Sequence, residues 1–442
     1  MKQWEVAARK GARGFNAKFV SVCLAACLAA CGGGGSSSNS ADAEQSVTDF
    51  IDPTGAVYAD AAPLASMTVD TDGKTPIVVK STYLGADLGL TGADGIEPFS
   101  SRMTIKGHGN STWTQEKKPY RLKLESKASL LGMPQDRNWI LLANYFDKTL
   151  LRNRAALELG QRFGMAWTPR AQPLELTLNG EYRGVYDLVE SIRVSKNRVN
   201  IADSDETTSP KKTGFIVEIN ARMDEAVCWH TTHGLPMCID TPDPASDAQA
   251  AYIKDYVQKA EDALFSDNAT DPATGYEQYF DVPTLIDWFL VNEIFKNQDA
   301  KSFASIYLYK DAGDKLKFGP LWDFDLAAGN VNYSDAQYPE GWWVADGVWI
   351  SRMKQIDPTF EARVRARWNE LKTSQIDTLP DFIESRAQAL IANGAARRNF
   401  TRWKEMAVQT WPNAVIAGSY RGEVDYLKGW LVKRIAWMDG NI

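Results

Sequence analysis

The segment Ile105-Lys106-Gly107-His108-Gly109-Asn110-Ser111-Thr112-Trp113 is followed, after three residues, by Lys117-Lys118-Pro119-Tyr120-Arg121-Leu122-Lys123-Leu124. Residues 103–106 and 120–124 alternate apolar with polar side chains, which predicts two half-buried strands. Glycines and hydroxyl groups between these strands let backbone N–H groups approach phosphate oxygens. The functional interpretation is a phosphate-binding turn at Gly107, Gly109, Asn110 and Ser111. The alternative is a tight β-turn followed by a solvated strand face.

The first part of the chain is rich in predicted β-strands, and its last part is mostly helical. Hydrophobic periodicity predicts strands at 65–70, 77–80, 174–178 and 184–189, helices at 150–163 and 283–296, and a hairpin at 306–310 and 315–318. From about residue 358 the chain is mostly helical. We therefore expect an α+β fold over residues 46–442, with a β-rich small lobe at about 60–200 and a mainly helical large lobe at about 201–442.

Three carboxylates directly follow predicted elements in the second half of the chain. Asp299 comes after the apolar helix, while Asp323 and Asp325 stand in Trp322-Asp323-Phe324-Asp325 at the end of the hairpin. Carboxylate oxygens are the ligands that Mg²⁺ prefers, and a further carboxylate beside an acceptor hydroxyl can take its proton. The alternative is that an aspartate at a strand end only caps a helix or turn.

Taken together, several segments identify the chain as a member of the CotH kinase family, the spore-coat-protein-H-like atypical protein kinases. The resemblance extends from about residue 65 to the C-terminus. Besides the opening segments it rests on Leu130-Leu131-Gly132-Met133-Pro134, Asn138-Trp139-Ile140-Leu141-Leu142-Ala143-Asn144-Tyr145, Leu178-Asn179-Gly180-Glu181-Tyr182 and Trp322-Asp323-Phe324-Asp325. It implies a two-lobed atypical protein-kinase-like fold that transfers phosphate from ATP to protein Ser or Thr, using Mg²⁺ or Mn²⁺.

The resemblance also implies roles for individual residues. Asp323 resembles the metal-holding carboxylate of the kinase Asp-Phe-Gly sequence, Asp325 replaces its glycine, and Asp299 resembles the catalytic-loop carboxylate that acts as general base or second metal ligand. Glu158 would pair with a strand cation, and Glu190 would contact adenine. Arg121 and Lys123 share a strand face by alternation, whereas Lys106 and Arg152 are weaker candidates. The nucleotide-binding set is therefore the turn residues together with Lys118, Arg121, Lys123, Glu158 and Glu190.

The N-terminus carries the pattern of an export signal. A basic start is followed by a mostly apolar run, residues 19–30, that is too short to span a bilayer. Leu28-Ala29-Ala30-Cys31 looks like a bacterial lipobox, and residues 32–40 form a Gly/Ser-rich tether. We expect a signal peptide at 1–30, lipidation at Cys31 with a tether to residue 45, and anchoring to the cell envelope. An ordinary signal peptide, or cleavage before Cys27, is the alternative.

Composition narrows the functional classes further. The formal net charge is −7 with 49 Lys+Arg against 56 Asp+Glu, which argues against nucleic-acid binding because that requires concentrated cations. Cys228 and Cys238 predict a disulfide in an exported chain. A zinc site with His230 and His233 is the less favoured alternative, since the spacing matches no common zinc pattern.

Two functions of different classes follow. The first is an extracytoplasmic, lipid-anchored kinase acting on a Ser/Thr-rich protein. The second is a surface binding protein or adhesin on a kinase-like scaffold whose nucleotide site is vestigial. Asp299, Asp323 and the glycine turn favour the enzyme, because a pure binding protein has no reason to keep all three.

Overall fold

The computed structural model describes residues 50–92 and 95–442. The predicted signal peptide at 1–30, the lipidated Cys31 and the tether to residue 45 lie outside the described residues and stay predictions. Strands dominate the first part of the described chain and helices dominate the last part. The predicted α+β class is therefore confirmed.

Seven strands close into a barrel in the order β1-β2-β3-β4-β5-β7-β6. Neighbouring strands are antiparallel except β1 and β6, which pair in parallel and close the barrel. Alternate side chains fill the interior, so Leu122 and Leu124 are buried while Arg121 and Lys123 lie on the outer face of the same strand. The strands are β1 (Ala65–Thr71), β2 (Leu84–Thr91), β3 (Phe99–Gly107), β4 (Tyr120–Leu130), β5 (Met133–Leu142), β6 (Ala171–Leu178) and β7 (Glu181–Glu190).

A second sheet of five strands has the order β12-β11-β8-β10-β9. A disulfide joins Cys228 and Cys238, which are direct partners on β9 and β10. The strands are β8 (Phe215–Ile219), β9 (Cys228–His230), β10 (Pro236–Thr241), β11 (Ile306–Lys310) and β12 (Lys317–Phe318). β11 and β12 form the predicted hairpin that leads to Asp323.

Helices surround this second sheet and share one large hydrophobic core with it. None of the helices in the described ranges combines the length and apolar character needed to cross a membrane. The α-helices are α1 (Arg152–Arg162), α2 (Asp247–Phe265), α3 (Val282–Ile294), α4 (Val348–Ile356), α5 (Pro358–Leu371), α6 (Leu379–Ala392), α7 (Ala395–Arg402) and α8 (Tyr420–Asn441).

Two buried ion pairs hold elements that lead into the functional cleft. At the start of α1, Arg152 Nη1 lies 2.6 Å from Asp147 Oδ1, and both side chains are fully buried. At the end of α3, Arg434 Nη2 of α8 lies 2.6 Å from Glu293 Oε1, again with both side chains fully buried. Charges buried this deeply must be paired. The first pair therefore holds the start of α1 in place, and the second holds the end of α3.

Two expectations about the β-rich part were wrong. Residues 77–80 are not a strand, and the strands form a closed barrel rather than a recognisable kinase-like small lobe. The barrel closes because Ala65 of β1 pairs with Leu174 of β6. Local periodicity predicts that strands exist, but it does not indicate which distant strands pair.

Candidate functional site

A cleft of about 400 Å³ lies along the outer face of the barrel, where β3, β4 and β5 meet the second sheet. Its volume is within the range of sites for small molecules and cofactors. Of the sequence-predicted residues, the cleft brings together Gly107, Gly109, Asn110, Ser111, Arg121, Asp299, Asp323 and Asp325. Residues almost 220 positions apart thus line one cavity.

One part of the cleft is cationic. Lys106 on β3 is the direct cross-strand partner of Arg121 on β4, and Lys80 also lines the cavity. Like charges opposite each other destabilise a sheet. Burial lowers the pKa of Lys106, and the charges of Arg121 and Lys80 lower it further. Among the described residues no hydrogen-bond partner reaches the buried Nε atom of Arg121. This concentration of positive charge favours an anionic ligand.

The glycine turn between β3 and β4 borders the same cations. Lys80 Nζ donates hydrogen bonds to the Gly109 carbonyl oxygen at 2.8 Å and to Asn110 Oδ1 at 2.9 Å. Gly109 has a φ of +74°, a conformation that favours glycine. A Cβ atom on Gly107 would lie 2.4 Å from the Trp113 ring. Both glycines are thus required by the shape of the turn.

Three carboxylates form the acidic part of the cleft. Asp299 begins a single 3-10 turn, Asp299–Lys301, shortly after α3, and Asp323 and Asp325 follow β12. Burial raises the pKa of Asp299 to about 7, with a further contribution from Asp323 and opposition from Arg222. Burial also raises the pKa of Asp325 well above its ordinary value, and repulsion by Asp323 adds to this. The three groups are close enough to repel one another, so a bound cation would stabilise their ionised forms.

The Asp323 turn is held in a strained shape by neighbouring amides. Asp323 has a φ of +65°, which is uncommon for a residue other than glycine and is found at functional sites. Asn153 Oδ1 of α1 accepts a hydrogen bond from the Phe324 backbone N–H at 2.7 Å. Asn144 Oδ1 in turn accepts from Asn153 Nδ2 at 3.2 Å. These amides therefore anchor the backbone at Phe324, between the two carboxylates.

Further acidic groups reach the cleft from the second sheet. Glu218 of β8 accepts a hydrogen bond from the Ser305 backbone N–H at 2.7 Å, and burial raises its pKa to about 7. Asp240 and Glu225 also line the cavity, and burial raises the pKa of each. Arg222 lies among these acids. The cleft therefore holds both signs of charge.

The donor set fits a divalent cation that is shared with a phosphorylated ligand. In the part of the chain that the structure describes, no group of three or more His, Cys, Asp and Glu side chains is arranged to enclose a metal ion by itself. Mg²⁺ bound with nucleotide phosphates needs only one or two protein carboxylates, because phosphate oxygens and water complete its shell. Asp323 and Asp325 would supply those carboxylates.

Four predicted nucleotide-binding residues lie outside the cleft lining. Lys118 Nζ donates hydrogen bonds to the carbonyl oxygens of Trp113 and Gln115 and so stabilises the turn between β3 and β4. Lys123 is exposed on β4, two residues beyond Arg121. Glu158 pairs with Arg162 on the same helix, and Glu190 is fully buried between Arg170 and Arg198. Their predicted contacts with ATP find no support in this arrangement.

Sequence reasoning overlooked several cleft residues. Lys80, Asn153, Glu218 and Arg222 belong to no motif, and Asn144 was not singled out within its segment, yet all five line the cleft. The sequence did contain a signal for Asn144, because this residue lies in the segment Asn138–Tyr145 that supported the family resemblance. Lys106, predicted only weakly, lines the cavity, whereas Arg152 is buried against Asp147.

An α+β fold whose cleft joins a glycine-containing turn, strand cations and a carboxylate cluster has the features of a kinase-like protein. A comparison with protein-family profiles matches residues 105–438 to the profile described as CotH kinase protein. The chain therefore belongs to the CotH kinase family, and the family prediction is confirmed. A comparison with curated protein sequences returned no match.

The close contact at Gly107 leads to a prediction about stability. We expect Gly107→Ala to lower the free energy of unfolding by about 1–3 kcal/mol, because the added methyl group overlaps the Trp113 ring. Chemical denaturation measures the change. The matched control is Gly429→Ala in the middle of α8, where nothing lies within 4 Å of the added Cβ, and it should stabilise the helix by up to about 1 kcal/mol. Equal effects at the two glycines would contradict the packing argument.

Proposed function

We propose that the chain is an extracytoplasmic, lipid-anchored protein kinase that transfers the γ-phosphate of ATP to Ser or Thr of a protein. The observation that carries this proposal is the division of charge within one cleft. Lys106 and Arg121 border the glycine turn, and Asp299, Asp323 and Asp325 line the same cavity. Membership in the CotH kinase family supports the kinase-like part of the proposal.

In this proposal the cationic part of the cleft binds the phosphates. Arg121 offers a planar guanidinium suited to bidentate contact with phosphate oxygens, and Lys106 adds a point charge. Gly107 and Gly109 let the turn backbone approach the same oxygens. An anion placed there would relieve the repulsion between the two paired cations. Relief of this repulsion would therefore contribute to the free energy of binding the triphosphate.

The acidic part of the cleft would hold the metal and the reacting hydroxyl group. Asp323 and Asp325 would bind Mg²⁺ or Mn²⁺, which neutralises the charge that develops on the transferred phosphoryl group. Asp299 would accept the proton of the substrate hydroxyl as its oxygen forms a bond to the γ-phosphorus and the bond to the ADP oxygen breaks. Its pKa of about 7 suits a general base near neutral pH.

The proposed location and partner rest on the sequence. The apolar run, Cys31 and the Gly/Ser tether support export and attachment to the cell envelope through lipid. A disulfide between Cys228 and Cys238 is compatible with an oxidising compartment. The proposed acceptor is a Ser/Thr-rich protein. The net charge of −7 argues against a nucleic-acid partner.

Labelled ATP tests the reaction directly. The full chain is incubated with a Ser/Thr-rich acceptor, Mg²⁺ or Mn²⁺, and ATP labelled on either the γ- or the α-phosphate. We expect the acceptor to gain the γ-label only, with mass spectrometry locating phosphate on Ser or Thr. Transfer of the α-label would contradict the proposal in favour of nucleotidyl transfer. Stabilisation by ATP and metal without transfer to any acceptor would favour the binding-protein alternative.

A pair of substitutions on one strand face tests the phosphate contact. We expect Arg121→Gln to weaken ATP binding roughly 10- to 100-fold, because a hydrogen bond to a charged group contributes about 1.5–3 kcal/mol. The matched control, Lys123→Gln, lies two residues along β4 on the same face but outside the cleft lining. It should change affinity by less than about twofold. Calorimetric titration measures both, and a larger loss at Lys123 would place the phosphates elsewhere.

A further inference from the structure

A second cavity of about 330 Å³ lies on another side of α1, between that helix, β6 and α6. It shares none of its lining residues with the main cleft. The most unusual group on its wall is Arg154 of α1, which is only 8% exposed. This cavity has no role in the proposed kinase reaction.

Arg154 lacks the hydrogen bonds that a buried guanidinium normally makes. The nearest carboxylate is that of Asp187, with 4.0 Å between Arg154 Nε and Asp187 Oδ1, which is too long for a hydrogen bond. Asp187 Oδ2 instead accepts a hydrogen bond from Asn144 Nδ2 at 2.7 Å. Within residues 50–92 and 95–442, the Arg154 side chain therefore has an ion-pair contact with Asp187 but no hydrogen bond. Arginine stays protonated when buried, so its donors remain available to a ligand.

A second guanidinium reinforces the positive charge. Arg386 is exposed on α6, stacks over the Phe382 ring at 5.0 Å, and makes no ion pair with the described part of the chain. Burial lowers the pKa of Arg154, the charges of Asp187 and Glu158 raise it, and the charge of Arg386 lowers it. An anion bound between the two arginines would relieve the repulsion between them.

The other charged groups on the wall are already neutralised. Arg170 pairs with Glu190 at 2.9 Å, and Glu158 pairs with Arg162 at 2.9 Å. Arg386, at the rim, has no ion pair with the described part of the chain, and Arg154, at the inner end, has only the 4.0 Å contact with Asp187. The rest of the wall combines the amides of Gln161, Gln172 and Asn393 with apolar side chains that include Leu157, Pro173, Phe382 and Leu390. A ligand that fits this surface has one acidic group and an apolar body.

We infer that the second cavity is a binding site for a small organic oxyanion, a carboxylate or phosphate monoester with an apolar or aromatic body. Its acidic group would lie between Arg154 and Arg386, where the planar guanidinium of each arginine donates to oxygen. Its apolar body would contact Phe382 and Leu390. The site is separate from the nucleotide cleft and does not depend on the proposed phosphate transfer.

Titration of the full chain with phenyl phosphate and with benzoate tests this site and distinguishes its two ligand chemistries. Benzylamine, which has the same aromatic body with a positive charge, serves as the ligand control. The measurements are made on the wild type and on Arg121→Gln, since phosphate bound in the main cleft should depend on Arg121. We expect saturable binding of at least one anion, no binding of benzylamine, and less than a twofold change in affinity in Arg121→Gln.

Variants of the two arginines then locate the bound anion. We expect Arg154→Gln and Arg386→Glu to weaken anion binding at least tenfold. Arg397→Glu makes the same charge change at an exposed position outside the second cavity and should leave the affinity within twofold. Arg386 is exposed, so its variant should fold even if Arg154→Gln does not. Absence of saturable anion binding, unchanged affinity in Arg386→Glu, or binding lost only in Arg121→Gln would overturn the inference.

Discussion

Asp323→Asn should abolish measurable phosphate transfer, with a loss of about 1,000-fold, while the protein becomes no less stable. The rate falls because the amide no longer supplies the charged ligand for the metal ion that would neutralise the transferred group, an effect of roughly 4 kcal/mol. Stability is kept because asparagine tolerates the left-handed backbone at φ +65°. Loss of this charge also removes the repulsion that adds to the effect of burial in raising the pKa of Asp325.

The label-transfer assay and a denaturation curve together check this result. Asp60→Asn is the matched control, since Asp60 is exposed and lies outside the cleft, and it should retain full activity. Unchanged transfer by Asp323→Asn would remove Asp323 from the proposed reaction. A variant that loses activity because it is unfolded would appear in the denaturation curve, so the two causes are separable.

Arg434→Met is expected to produce the largest loss of stability, about 3–5 kcal/mol. The substitution leaves Glu293 fully buried without its cation, although Glu293 still accepts hydrogen bonds from the backbone N–H groups of Trp343 and Ala345. Glu293 lies in the last turn of α3, six residues before Asp299. We therefore also expect the segment that carries Asp299 to lose order and the transfer rate to fall.

Urea denaturation checks the size of this effect. Adding Glu293→Gln to Arg434→Met should recover part of the lost stability, because the buried charge is then gone while hydrogen-bonding capacity remains. Lys259→Met is the control, since it breaks an ion pair with Asp255 in which both side chains are more than half exposed. Lys259→Met should lower the free energy of unfolding by less than about 1 kcal/mol. Similar losses for Arg434→Met and Lys259→Met would show that burial is not the cause.

The local part of the site was predictable from sequence, because each group follows a recognisable element. Gly107 ends one strand and Gly109 follows it, Arg121 alternates with buried residues on the next strand, and Asp323 follows a hairpin. Motifs of this kind place a residue at the end or on the face of an element. Such motifs correctly predicted eight residues that the fold brings together in one cleft.

The remainder depended on geometry that no short motif contains. Glu158 and Asn153 lie five residues apart on α1, which at about 100° per residue separates them by about 140° around the helix. Asn153 therefore reaches the Asp323 turn while Glu158 borders the second cavity. Lys123 shares a face with Arg121 but lies about 6–7 Å farther along the strand. Lys80, Glu218 and Arg222 enter the cleft only through long-range packing.

The parallel pairing of β1 with β6 has a consequence for how the protein is made. Ala65 and Leu174 are 109 positions apart (174 − 65), so the barrel cannot close until the chain has emerged well past residue 174. Contacts this distant in sequence form slowly, because a long loop must first be closed. Until then β1 presents an unpaired edge, which is a site for aggregation. We therefore expect chains that are cut short within the barrel to depend on chaperones, whereas the finished barrel offers no open edge.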